Sequence, residues 1–215
     1  HEVKEVAADS VTYELRSSEA TRELYPYDFC LNMAYSVDGT SLTQSFAVTN
    51  TGDVDLPFTL GGHPAFNVPM PGAEGERFDD YALLFAERWS PEVPVIDERG
   101  LHDFGRMTRL MEDSRELALT HGLIDRHATL VFHDVPKNRV TLVGTRSNHG
   151  VELEFDGFDY LGVWTASTES PFIAVEPWHG CASAYDESGR FEDKRSTITL
   201  APGERTELAF TVTPF

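Results

Sequence analysis

Lysine is scarce in this chain, occurring only at positions 4, 137 and 194. Arginine raises the Lys+Arg total to 17, against 36 Asp+Glu, for a formal net charge of -19. A surface of that sign repels polyanions, so nucleic acid and anionic membranes are excluded as expected partners. No apolar run approaches the roughly 18–20 residues that a membrane span needs. The opening His-Glu-Val-Lys-Glu-Val carries no apolar segment of the secretory-signal kind. Cysteine is nearly absent too. Cys30 and Cys181 stand far apart without metal-type spacing, and two free buried thiols in a reducing cytoplasm are the expectation. No phosphate loop, dinucleotide fingerprint or Gly-x-Ser-x-Gly elbow occurs. None of the eight histidines pairs at zinc spacing with further ligands.

What the chain does have is strand grammar. The segments 11–16, 29–37 and 42–50 alternate apolar with polar residues. Asp38-Gly39 supplies a hairpin turn between the last two. Further strand candidates follow at 81–85, 118–119, 129–132, 139–143, 150–155, 160–165, 172–176 and 196–200, with a clean closing alternation at 205–214. Helical signal is confined to 17–24 and 114–119, each good for a turn or two. Many short strands between turn residues predict an all-β, antiparallel sandwich or barrel. With 215 residues and no linker or repeat, one domain over 1–215 is expected. The Gly- and Pro-rich stretch 68–78 reads as a loop of the kind that covers functional sites.

Two runs carry chemistry. Gly61-Gly-His-Pro-Ala-Phe-Asn67 places His63 between a permissive glycine pair and a rigid proline. Histidine is the side chain most readily tuned to move protons near neutral pH. The same context also suits a turn histidine bonded to backbone. Pro171-Phe-Ile-Ala-Val-Glu-Pro-Trp-His-Gly180 places Glu176 at the end of an apolar strand. A carboxylate there is either kept for chemistry or held in an ion pair at the strand end. Trp164 and Trp178 flank it and offer flat apolar surface to a sugar ring, or core lining. His127 and His133 are expected at strand ends.

These segments, in this order, resemble the aldose 1-epimerase (mutarotase) superfamily, and within it the bacterial galactose mutarotase-related branch. The likeness is carried by Ser18-Glu-Ala-Thr-Arg-Glu-Leu-Tyr-Pro-Tyr-Asp-Phe29, by the His63 run, by Tyr160-Leu-Gly-Val-Trp-Thr165 and by the Glu176 run. The resemblance implies a large antiparallel supersandwich with an open sugar cleft and cofactor-free, metal-free chemistry on a neutral hexose. It implies Glu176 as the base at the anomeric hydroxyl and His63 as the acid at the ring oxygen, on opposite sides of the hemiacetal. It further implies Asn67, Phe66, Trp164 and Trp178 as the sugar-binding set.

Two departures accompany the likeness. Family members carry an N-terminal segment with a His-Gly-Phe-x-Arg motif that does not occur here, so the N-terminal part of the family domain is expected to be absent. The sheet edge so exposed would be relieved by an upstream segment or by pairing in a homodimer. The family's Asp before Thr-Leu-Val-Phe is replaced by Ala128, with Asp125 and His127 nearby. Two other readings follow. A sugar-binding or sensing domain would keep the cleft without turnover, and a hexose-6-phosphate epimerase would need a cationic pocket.

Overall fold

The computed structural model describes residues 1–167 and 169–215. Its strands in chain order are β1 (Glu2–Val6), β2 (Ser10–Arg16), β3 (Phe29–Asp38), β4 (Ser41–Asn50), β5 (Leu56–Phe58), β6 (Leu60–Gly61), β7 (Ala65–Asn67), β8 (Tyr81–Trp89) and β9 (Glu92–Ile96). They continue with β10 (His102–Arg109), β11 (Ser114–Ala118), β12 (Leu130–His133), β13 (Arg139–Gly144), β14 (Gly150–Glu154), β15 (Tyr160–Trp164), β16 (Phe172–His179), β17 (Ile198–Leu200) and β18 (Arg205–Pro214). Two short α-helices, α1 (Glu19–Arg22) and α2 (His121–His127), interrupt them.

Nine strands form one sheet in the order β1-β2-β3-β4-β18-β14-β13-β8-β11, and all its pairings are antiparallel. A second sheet runs β12-β15-β16-β6, with β7 also on β16. The period-2 alternation of each strand sends one set of side chains between the sheets. Phe46, Leu208 and Phe210 from the large sheet join one core cluster with Leu130, Phe132, Leu161, Val163, Ile173 and Val175 from the smaller one. Each such fully buried aliphatic or aromatic side chain contributes about 1.5–3 kcal/mol of transfer free energy. This is the antiparallel β-sandwich, one of the two architectures that the alternation predicts.

Several local expectations are corrected. The segment 114–118 is strand β11, not a helical turn: its register against β8 (Leu117 opposite Leu83) outweighs the helix propensity of Arg-Glu-Leu-Ala. The 17–24 segment does hold a helix, α1, where Ser18 and Thr21 form a capping box. His127 ends α2 and is buried, whereas His133 ends β12. Cys30 is buried, but Cys181 is only half-buried; both are free. At the sheet edge, all five residues of β1 are exposed, Val3 and Val6 among them. Among the described residues no helix is long and apolar enough to cross a membrane.

Candidate active site

The site is built where β16 meets β6 and β7. Gly61 is opposite Trp178 on one side of a gap, and Ala65 is opposite Ala174 on the other. Three residues on each strand fill the gap, so the register runs through it unbroken and His63 lies opposite Glu176. Two prolines shape this junction. Pro177 has no N–H, yet its carbonyl accepts from Gly62 N at 2.9 Å; Pro64 likewise accepts from Val175 N at 3.1 Å. The ladder therefore holds on both sides of a non-hydrogen-bonded pair. In such pairs the Cα atoms approach to about 4.5 Å and the side chains stand closest.

The consequence is direct. His63 Nε2 lies 3.6 Å from Glu176 Oε2, with the imidazole 61% exposed and the carboxylate 5% exposed. Gly62 sets the depth of the strand: a Cβ there would meet the Phe210 ring at 2.3 Å, so only glycine lets this backbone rest on the core.

Glu176 was expected at the end of its strand, but β16 continues through Pro177 and Trp178 to His179. Its other cross-strand neighbour is Gly162 of β15. Burial pushes the Glu176 carboxyl above the usual value of 4.5, while His63 and the Trp178 indole N–H favour its ionised form. A desolvated base beside an accessible imidazole is the electrostatic arrangement of an acid–base pair.

A cleft of about 430 Å³ opens over this pair, lined by Thr59–His63, Glu176 and Trp178–Ala182. Trp164 stands edge-on to the His63 ring, 5.9 Å between centroids, and packs against Phe172. By register, Trp164, Phe172, Ala174, Glu176 and Trp178 share one face of the small sheet, and Asn67 falls on it too. Phe66, opposite Ile173, falls on the other face and packs against the core. Phe66 and Asn67 line a separate cavity of about 510 Å³ near the end of β18. The fold thus brings His63, Glu176, Trp164 and Trp178 together, whereas Phe66 and Asn67 line the other cavity.

Sequence reasoning passed over His179, which lines the cleft three residues beyond Glu176. Its Nδ1 is 2.7 Å from the Ser196 carbonyl, which can only accept, so Nδ1 carries the hydrogen. Its Nε2 faces Asp159 at 3.7 Å. The signal was there: a histidine inside the glutamate's own run. Ala128 caps α2 with φ +59°, while Asp125 is exposed and His127 buried. No group of three or more His, Cys, Asp or Glu among the described residues could hold a metal ion.

The aldose 1-epimerase family profile matches residues 1–213. The chain belongs to the aldose 1-epimerase family. It is 33% identical over 213 residues to the chromosomal protein LacX of Lactococcus lactis subsp. lactis, covering 98% of this chain and 70% of that one. Among solved structures it is similar to a galactose mutarotase related enzyme from Lactobacillus acidophilus, with a TM-score of 0.90 at 26% identity over 100% of this chain and 70% of that one. A galactose mutarotase-like protein from Lactobacillus casei gives a TM-score of 0.87 at 27% identity, covering 100% of this chain and 72% of that one. For this aldose 1-epimerase family member, the sandwich architecture expected from the sequence is thereby shown.

Proposed function

We propose that this protein interconverts the α and β anomers of a neutral hexose by acid–base ring opening and closure. The observation that carries the reading is the side-by-side placement of His63 Nε2 and Glu176 Oε2, 3.6 Å apart on one cleft floor. The anomeric hydroxyl and the ring oxygen are bonded to the same carbon. An acid and a base that serve them must therefore be neighbours, not groups on opposite sides of the sugar.

In the forward step Glu176 takes the proton of the anomeric hydroxyl. The O–H electron pair becomes the second bond of the aldehyde, the bond from the anomeric carbon to the ring oxygen breaks, and that oxygen receives the Nε2 proton of His63. The aldehyde end then rotates. Closure runs the same transfers backwards on the other face, with Glu176 now the acid and His63 the base, so both return to their starting states. The raised pKa of Glu176 suits it to both halves.

Trp178 supplies apolar wall to the cleft, and Trp164 stands edge-on to His63 on the same sheet face. Asn67 offers an exposed amide farther along that face, and Phe66 packs that strand from behind. The cleft lining holds no Lys or Arg among the described residues to receive a phosphate dianion, which favours a neutral sugar over a hexose phosphate. Polarimetry of freshly dissolved α-glucose and α-galactose tests the reading. Equilibration should outrun buffer with the wild type and drop to the buffer rate with Glu176→Gln. Equal rates for protein and buffer would sink it.

A further inference from the structure

Trp178 does more in this geometry than offer a flat wall. Its ring crosses β16 diagonally. At one end Cδ1 lies 2.7 Å from where a Cβ of Gly61 would stand, and at the other Cζ2 and Cη2 lie 2.5 Å from the Cβ position of Gly162. Gly61 is the cross-strand partner of Trp178 itself, and Gly162 is the partner of Glu176. The indole therefore runs from its own row to the glutamate's row. The nitrogen Nε1 is bonded to Cδ1 and Cε2, so it sits on the edge between the two glycines. That edge spans toward the row of Glu176, whose side chain projects from the same strand face two residues away. Any side chain at Gly61 or Gly162 would push the ring off this seat.

We propose that Trp178 is a positioning residue for Glu176: its indole N–H, seated by Gly61 and Gly162, holds one side of the carboxylate while His63 stands at the other. Such a hydrogen bond is charge-assisted when Glu176 is ionised, so it orients the carboxylate and opposes part of the cost of burying its charge. The direction is consistent with the indole's opposition to the burial of the carboxylate charge. The role rests on the anomer-exchange reading above only for its consequence in catalysis; the proposed positioning is independent of it.

The test follows the indole N–H resonances in 15N-edited spectra, from about pH 4 to about pH 9, a window spanning the ordinary Glu and His transitions. Three tryptophans give three signals. Trp178→Phe assigns one directly, and Trp89→Phe with Trp164→Phe assign it by elimination if the first variant does not fold. The Trp178 N–H should move downfield through the Glu176 transition, and that movement should vanish in Glu176→Gln while any His63 transition remains. A Trp178 signal that is flat with pH, or that titrates identically in Glu176→Gln, overturns the proposal. If the wild type exchanges no sugar, the functional reading fails while this titration still decides the role of Trp178. If it does exchange sugar, the acid limb of the rate should move to higher pH in Trp178→Phe; a rise in KM with an unmoved limb would mark a stacking wall instead.

Discussion

His63 and Glu176 are cross-strand neighbours, held 3.6 Å apart at their side-chain tips by a register that passes unbroken through two prolines. One partner is open to solvent and the other is nearly sealed. That asymmetry decides what each substitution should do.

Replacing His63 by Asn or Ala should cost activity and not stability. Loss of a general acid removes about 10²–10⁴ of the rate, whereas a substitution on an exposed side chain stays within about 0.5 kcal/mol. Anomer-exchange rates measured beside thermal melting would check both halves. A large fall in melting temperature would mean that His63 is a structural turn histidine.

Glu176 should behave in the opposite sense. Its folded-state pKa is raised by burial, so the folded protein holds that proton more tightly than the unfolded chain. Stability then falls as pH rises from the unfolded value through the folded one. Glu176→Gln, which cannot ionise, should be more stable than the wild type at neutral pH, and the difference should close as the pH drops below the ordinary Glu range. Denaturant melts across pH would show it. The same shift places the acid limb of the exchange rate above the usual Glu value of 4.5.

Gly62→Ala should damage both fold and site. The added methyl meets the buried Phe210 ring at 2.3 Å, and overpacking of this kind costs about 1–3 kcal/mol. The strand should lift, carrying His63 away from Glu176. Chemical denaturation with a parallel activity assay would separate this variant from His63→Ala, which loses activity alone.

How much of this was legible beforehand follows from what each feature depends on. The His63 and Glu176 runs could be read because each packs its cue into a few residues. The sandwich could be read because alternation is local. The pairing of 63 with 176 could not, since register between distant strands is set by tertiary contacts. Pro177 read as a strand end, because a missing N–H ordinarily ends a ladder; here the carbonyl alone keeps the pairing. Phe66 read as a sugar contact from its place in the motif, but the parity of β7 turns it to the core. The Thr120-capped helix α2 was hidden by Gly122 and two histidines, all weak helix formers.

Cys181 lines the cleft, yet its thiol should be sluggish. Burial pushes its pKa up to about 11, leaving about a hundredfold less thiolate at neutral pH than a free cysteine has. A colorimetric thiol reagent should label both cysteines quickly in denaturant and slowly in the native protein. Rapid native labelling of Cys181 would contradict the packing of the cleft wall.

The most direct measurement is exchange NMR between the two anomeric protons of a hexose at equilibrium, with wild type and Glu176→Gln at matched concentration. Exchange cross-peaks with the wild type that disappear with Glu176→Gln are the predicted result. Sugar binding seen by calorimetry, without cross-peaks above buffer for the wild type, would contradict the assignment of His63 and Glu176 as a working acid–base pair.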